Sequence, residues 1–157
     1  MLLTLSLAGC SKGKAVVDST KKAADKVVQK VTLRPSPLDL KVGIDPAANG
    51  NSPVALDVVL IKDKNFWKTA PSMSAKDWFA QRGDLERRYR TKLQVRSWEW
   101  VPGQPIPPIN VTVPRRFSGA MVFADYPSPG THSAPIPLGG KVVISLQRDD
   151  FVMETKP

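Results

Sequence analysis

The chain has 157 residues, 41% of them hydrophobic, and a formal net charge of +9 with an isoelectric point near 9.9. A single cysteine and a single histidine exclude an intramolecular disulfide, a zinc site built from cysteines and a histidine-rich metal site. Beyond the first 37 residues roughly 120 remain, which is the size of one domain with its own core.

The first ten residues have the pattern of a bacterial lipoprotein signal. A short apolar run ends in Leu7-Ala8-Gly9-Cys10, and it is too short to span a bilayer, which takes about 20 apolar residues. These four residues resemble a lipobox, in which two small residues let the signal peptidase reach the backbone and the cysteine thiol accepts lipid. We predict a signal peptide over residues 1–9. Signal peptides usually have a basic residue before the apolar run. This sequence has none there, so we expect that the printed sequence starts late.

Cys10 is predicted to carry S-linked diacylglycerol and an N-linked acyl chain, with no other cofactor. Two lipid signals already give a stable membrane anchor, and Ser11 in place of an aspartate favours the outer membrane over retention in the inner membrane. The predicted location is therefore the outer membrane, lipid-anchored and facing the periplasm. A protein placed there meets no nucleic acid, so we assign the positive charge to contact with anionic lipid or with an acidic protein surface.

Residues 10–37 are predicted to form a lipidated tether that includes a basic helix. Asp18 to Lys30 has a narrow apolar stripe at three- and four-residue spacing, and lysines dominate its polar positions. Two interpretations are equally open: an amphipathic segment near the lipid surface, or a solvated helix docked on the domain. Pro35 and Pro37 end the helical pattern.

Residues 38–157 are predicted to form a mainly β domain, a two-sheet sandwich. Apolar and polar residues alternate over Leu38–Ile44, which is typical of a half-buried strand. Val54–Ile61 and Phe117–Tyr126 are apolar on both faces, which is typical of central strands. We interpret the first two strands as neighbours. Four further strands are predicted, at Thr91–Val101, Ile109–Val113, Lys141–Gln147 and Phe151–Thr155.

A helical insertion at about residues 64–90 is predicted between the second and third strands. Two short helices, Lys64–Ala70 and Ser74–Arg82, account for most of it, and Leu85 and Tyr89 keep helical spacing up to the next strand. Ser74 with Asp77 resembles a capping box at the start of the second helix. Aromatic side chains on both helices are expected to pack them onto a sheet.

No catalytic set emerges from the sequence, so the chain is predicted not to be an enzyme. His132 lies in a Pro/Gly/Ser segment, Pro127–Pro137, which we interpret as a loop, and the histidine as a plain surface residue. Asp149 and Asp150 are adjacent and fit a turn better than a carboxylate pair. Neither a Gly-x-Ser-x-Gly elbow nor a phosphate-binding glycine loop occurs.

Two features leave a binding function open. Trp98 and Trp100 share one strand face, either as a ligand-stacking pair of the kind found in carbohydrate-binding modules or as rings covered by neighbouring structure. The basic stretch from Arg82 to Arg96 is either a solvated face or a docking patch for an acidic partner or lipid headgroups.

The order of these features resembles the TssJ family, also called SciN or VasD, of type VI secretion lipoproteins. The resemblance covers most of the chain after Cys10, although the lysine-rich helix and the Trp98-Glu99-Trp100 run do not map onto it. It rests on the lipobox, the loop Asp45-Pro46…Asn49-Gly50…Ser52-Pro53, Leu60-Ile61-Lys62 before Phe66, the Pro102-Gly103 turn and the strand Phe117–Tyr126.

The resemblance implies a transthyretin-like β-sandwich with a small helical addition and no catalytic or metal-ligating residue. It implies an outer-membrane protein that binds the periplasmic C-terminal region of TssM, an inner-membrane protein of the IcmF type, in a complex that TssL completes. Several copies acting together would gain avidity. The implied partner-binding residues form the loop between the first two strands: Asp45, Pro46, Ala47, Ala48, Asn49, Gly50, Asn51, Ser52 and Pro53.

Two other functions stay open at this point. One is an outer-membrane lipoprotein module that binds glycan or peptidoglycan through Trp98 and Trp100, which requires both rings to be exposed side by side. The other is a pilotin-like chaperone for a secretin.

The substitution Cys10→Ser tests the predicted lipid anchor in a host that processes bacterial lipoproteins. Without the thiol, fatty-acid labelling of the protein is expected to disappear and the protein to move from the membrane fraction to the soluble fraction. Ser11→Ala keeps the thiol and is expected to keep both the label and the membrane association. A Cys10→Ser variant that remains labelled would contradict the prediction.

Overall fold

A computed structural model describes residues 36–156 of the chain. The predicted signal peptide, the lipobox with Cys10 and the helix predicted at Asp18–Lys30 lie outside the described residues. The strands are β1 (Ser36–Ile44), β2 (Val54–Ile61), β3 (Leu93–Trp100), β4 (Ile109–Val113), β5 (Gly119–Ala124), β6 (Ser133–Ile136), β7 (Gly140–Leu146) and β8 (Phe151–Lys156). The helices are α1 (Lys64–Thr69) and α2 (Ala75–Arg88), with 3-10 turns at Ala48–Asn51 and Ala70–Ser72.

The described strands form two four-stranded sheets that share a core. Sheet 1 has the order β4-β1-β7-β8 and sheet 2 the order β3-β2-β5-β6. In sheet 1, β1 runs parallel to β7, with Leu38 opposite Gly140 and Ile44 opposite Leu146. The other described pairs are antiparallel. The predicted mainly β, two-sheet sandwich is therefore confirmed.

The expectation that the first two strands are neighbours is wrong. β1 lies between β4 and β7 in sheet 1, and β2 lies between β3 and β5 in sheet 2. The loop that joins them therefore crosses from one sheet to the other. Their burial gives the reason: β1 turns polar residues such as Asp39 and Lys41 away from the core, whereas β2 is apolar on both faces and needs cover on both.

The core between the two sheets is built from alternate residues of each strand, those whose side chains face the other sheet. Burying such a side chain stabilises the fold by roughly 1.5–3 kcal/mol, so this layer supplies much of the favourable free energy. Its fully buried members include Leu38, Leu40, Leu56, Val58, Leu60, Val122, Val142, Ile144 and Leu146.

A second apolar cluster covers the outer face of sheet 2. Val59 and Ile61 of β2 and Met121 and Phe123 of β5 are buried beneath the two helices. The indole of Trp78 in α2 stacks on the Phe123 ring, with the ring centroids 5.0 Å apart. The prediction that a helical insertion packs onto a sheet is confirmed.

Both helices begin at side-chain caps. Asp63 accepts hydrogen bonds from two backbone N–H groups in the first turn of α1, at 3.0 and 2.9 Å. The Ser74 hydroxyl oxygen accepts the Asp77 N–H at 3.1 Å, as the capping box predicted. The second helix extends past Arg82 to Arg88, as the helical spacing of Leu85 and Tyr89 predicted, and it buries Leu85.

The segment Pro127–Pro137, predicted as a loop, ends in strand β6. Ser133–Ile136 pairs with residues 120–123 of β5 and forms an edge of sheet 2. Pro135 is tolerated there because an edge strand leaves one row of its backbone N–H groups outside the ladder. A strand this short, with a proline inside it, has no period-two pattern by which the sequence predicts it.

One carboxylate is buried beneath α2. Asp57 of β2 is 1% exposed. One of its oxygens accepts the Trp78 Nε1–H at 2.8 Å and lies 3.3 Å from Nη1 of Arg82. Arg82 also contacts Glu86 at 3.4 Å. Because a buried carboxylate destabilises a fold unless it is hydrogen-bonded and paired, these contacts determine how α2 sits on sheet 2.

We expect Asp57→Ala to lower the free energy of unfolding by about 2–3 kcal/mol, because the Trp78 N–H loses its acceptor in a buried position. Asp84→Ala is the control: Asp84 pairs with Arg87 on the exposed face of the same helix, and exposed pairs contribute less than about 1 kcal/mol. Urea unfolding measures both. Equal losses for the two variants would contradict a structural role for the buried carboxylate.

Candidate functional site

The loop Asp45–Pro53 holds itself in shape through its own polar side chains. The Asp45 carboxylate accepts the Ala47 N–H at 2.7 Å, which closes a turn just after β1. The Asn49 side-chain amide donates to the Pro53 carbonyl at 2.7 Å and bridges the loop immediately before β2. Both ends of the loop are therefore tied by residues of the loop itself.

The tip of the loop has three consecutive residues in the left-handed backbone region. Asn49, Gly50 and Asn51 have φ angles of 48°, 60° and 66°. Glycine and asparagine adopt this region at the lowest cost of the natural residues. The Asn-Gly-Asn run therefore specifies one tight turn.

The body of the domain supports the loop from below. Ala48 is fully buried and belongs to the core between the sheets. The Asp45 N–H donates to the Leu146 carbonyl at 2.9 Å, and the Asn49 N–H donates to the Gln147 carbonyl at 3.3 Å. The loop is thus attached to the turn between β7 and β8. Its exposed residues are Asp45, Pro46, Gly50, Asn51, Ser52 and Pro53.

Three connections meet at the same end of the sandwich, which we call the loop end: residues 45–53, residues 125–132 between β5 and β6, and residues 147–150 between β7 and β8. The strand register places them together, because β1 and β7 end here while β2, β6 and β8 begin here. The opposite end is the one at which β1 begins and β8 ends.

His132 joins two of these connections. Its Nδ1 lies 2.9 Å from a carboxylate oxygen of Asp150, and its Nε2 lies 2.8 Å from the Ser128 carbonyl oxygen. The side chain is 4% exposed. The prediction of a plain surface histidine is wrong, because hydrogen bonds to the neighbouring turn draw the ring into the domain.

The contacts of His132 favour its protonated form. Both ring nitrogens face atoms that only accept hydrogen bonds, so the imidazole satisfies both when both nitrogens carry a proton. Burial lowers the pKa of His132, but the hydrogen bonds to Asp150 and to the Ser128 carbonyl raise it more, and the net pKa lies above its ordinary value of 6.5. At a pH below its raised pKa, His132 is consequently a charged link between the two connections.

Two neighbouring residues leave room for the imidazole or pack against it. A Cβ on Gly130 would come within 2.7 Å of the ring, so this position has room only for glycine. The Tyr126 ring packs at a centroid distance of 5.2 Å from the imidazole, and burial raises the pKa of the Tyr126 phenol to about 12. The phenol is therefore neutral throughout the physiological pH range. The sequence contains one sign of this cluster: Asp149 and Asp150 are adjacent and fit a turn.

The two tryptophans proposed as a ligand-stacking pair belong to the core. Trp100 is 8% exposed, and Trp98 is half-buried and packed against the same cluster between the sheets. Their rings are not exposed side by side, which the glycan-binding alternative requires. That alternative is wrong for this pair.

Residues 36–156 contain no group of three or more His, Cys, Asp or Glu side chains placed to hold a metal ion. Neither helix of this part of the chain has the length and apolar character that crossing a bilayer requires. Cys10 and the lipobox residues Leu7, Ala8 and Gly9 lie outside the described residues, so the lipidation site stays a prediction.

No protein-family model and no curated protein matches the chain by sequence. Solved structures match it by shape. The type VI secretion lipoprotein TssJ1 of Pseudomonas aeruginosa aligns with a TM-score of 0.60 and 16% sequence identity, over 78% of this chain and 98% of its own. The chain has the TssJ fold.

Two further structures have the same fold. Lip of Serratia marcescens, a membrane-bound component of the type VI secretion system, aligns with a TM-score of 0.58 and 17% identity over 78% of this chain and 99% of its own. A chain of a type VI membrane complex aligns with a TM-score of 0.58 and 14% identity over 79% of this chain and 100% of its own. The resemblance predicted from the sequence is confirmed at the level of the TssJ fold.

The substitution His132→Asn tests the charged link at the loop end. Asparagine tolerates the φ of +46° found at this position but cannot carry the charge. Because the pKa of His132 is raised on folding, its stabilisation is fully present below pH 6.5 and is lost as the pH rises through the folded-state pKa.

Urea unfolding of both proteins between about pH 5 and 9 measures the effect. We expect the variant to be less stable by roughly 1–2 kcal/mol at the acidic end and the difference to shrink as the pH rises. A difference that grows with pH would contradict the charged link.

Proposed function

We propose that the chain is a non-catalytic lipoprotein of a type VI secretion membrane complex. In this proposal lipid on Cys10 holds the protein in the outer membrane, and the domain faces the periplasm. The loop Asp45–Pro53 binds the periplasmic C-terminal region of TssM, and TssL completes the complex. Several copies confined to one membrane gain avidity for the partner.

The rigid loop is the observation that carries this proposal. A recognition loop that already has one conformation loses little conformational entropy on binding. Here the left-handed tip at Asn49–Asn51, the buried Ala48 and the hydrogen bonds to the β7–β8 turn all restrict the loop. Its exposed side chains are small or short, which leaves backbone groups and prolines accessible to a partner.

The direction of the strands agrees with a tethering role. β1 begins at the opposite end of the sandwich and its last residue leads directly into the loop. With nine residues at 3.3 Å each, β1 is about 30 Å long. The chain that precedes β1 therefore joins the domain about 30 Å away from the loop, so a membrane anchor on that segment leaves the loop free to meet a partner.

Titration of the full chain against the TssM periplasmic region tests the proposal, with Cys10→Ser in every variant to keep the protein soluble. Ser52→Arg places a long charged side chain on the exposed, extended residue after the tip, and we expect it to weaken binding by about tenfold or more. Ser97→Arg is the matched control, since Ser97 is exposed in the middle of β3.

Deleting Asn49–Asn51 removes the tip and is expected to abolish binding. No measurable binding by the parent chain would contradict TssM as the partner. Binding by the parent that neither Ser52→Arg nor the deletion changes would contradict the loop as the contact and leave TssM in place. The two parts of the proposal therefore fail separately.

A further inference from the structure

Several exposed acids lie at one end of the domain, and several exposed cations lie at the other. The loop end has the exposed acids Asp45, Asp125, Asp149 and Asp150, with Arg148 among them. Exposed cations are gathered at the opposite end, where β1 and β7 begin and β2 and β8 end. Six of them are Lys62, Arg90, Lys92, Arg116, Lys141 and Lys156.

These cations come from both sheets and from several connections. Lys62 follows β2, and its backbone N–H donates to the Lys92 carbonyl at 2.8 Å, which brings the connections before β3 and after β2 together. Lys141 and Lys156 are directly opposite each other in the β7–β8 pair, at the edge of sheet 1. Arg116 lies on the connection from β4 to β5, which crosses between the sheets.

The acids near this end are fewer than the cations: Asp39 lies opposite Lys141 in the β1–β7 pair, and Glu154 is two residues before Lys156 on β8. Asp63 is 14% exposed in its side chain and is already engaged, since it caps α1 and bonds to the Lys92 ammonium at 2.7 Å. Like charges such as Lys141 and Lys156 on opposed strand positions destabilise a sheet slightly. A surface that keeps such pairs has an electrostatic field suited to an anionic partner.

We propose that this end of the sandwich, the basic end, is a membrane-facing surface that binds anionic phospholipid headgroups. It extends the proposed function, because it gives the domain an orientation on the membrane, but it does not depend on which protein the loop binds.

The covalent path of the chain favours lipid over an acidic protein as the partner. β1 begins at the basic end, so the preceding segment, with the predicted lipid site and six lysines between residues 12 and 30, joins the domain there. The cations are scattered over several segments, and the groove that Lys141 and Lys156 line on sheet 1 also contains the acids Asp39 and Glu154. Mobile headgroups can meet scattered charges, whereas an acidic protein needs a matching fixed arrangement.

The separation of charge orients the domain. At physiological ionic strength the field of a membrane decays within about 10 Å, whereas the two ends are about 30 Å apart along β1. The basic end is attracted to an anionic surface, and the acids of the loop end avoid it. The loop consequently points away from the membrane.

Vesicle sedimentation of the full chain with Cys10→Ser tests the surface without the lipid anchor. The probes are vesicles of phosphatidylethanolamine with phosphatidylglycerol, and vesicles of phosphatidylcholine alone. We expect binding to the anionic vesicles only, and loss of that binding at about 0.5 M salt. Binding that is equal for both vesicles would overturn the proposal.

Two triple variants with the same change in net charge locate the surface. Lys62→Gln, Lys141→Gln and Lys156→Gln neutralise the basic end and are expected to weaken binding by about tenfold or more, because each cation near such a surface contributes. The control triple, Lys76→Gln, Arg96→Gln and Arg148→Gln, neutralises exposed cations elsewhere and is expected to bind nearly as the parent does. Equal weakening by both triples would show only a net-charge effect and would overturn the proposal.

Amide hydrogen exchange on the vesicle-bound chain gives an independent measurement. Residues 62–64, 88–92 and 114–118 are expected to exchange more slowly on binding, and residues 45–53 to be unchanged. Slower exchange of the loop would reverse the orientation. Binding of poly-glutamate with no binding to anionic vesicles would assign the basic end to an acidic protein and overturn the lipid proposal.

Discussion

Two strands that are apolar on both faces determine the arrangement of the domain. β2 and β5 are buried along nearly their whole length, so sheet 2 requires an apolar partner on each side. Sheet 1 covers one side, and the helices between β2 and β3 cover the other. Asp57, a buried carboxylate on the covered outer face, is compensated by Trp78 and Arg82. The apolar contacts stabilise the helical layer, and this polar contact gives it a defined position.

The sequence predicted the features that depend on local patterns. Period-two alternation located β1, β4 and β7, two-sided apolarity located β2 and β5, and the Ser74 cap located the start of α2. Features that depend on distant contacts were missed. Alternation tells which face of a strand is buried but not which strand lies beside it, so the pairing of β1 and β2 was predicted wrongly.

The loop end shows the same division between local and distant information. The Asn-Gly-Asn run encodes the left-handed tip, and the sequence predicted an exposed turn-rich loop. Its support came from elsewhere in the chain: Gln147 is almost a hundred positions away, and His132 meets Asp150 from another connection. The chain shares its fold with the secretion lipoproteins at only 14–17% sequence identity. Most individual residues therefore differ between chains that share this sandwich.

The parallel pairing of β1 with β7 has a consequence for the order in which the chain acquires its structure. β1 pairs with residues 109–113 and 140–146. Most of the polypeptide must therefore be present before sheet 1 can be complete. Contacts so distant along the chain close slowly. A polypeptide that emerges from its N-terminus, from a ribosome or through a membrane pore, therefore cannot complete this sandwich until its last strands have emerged.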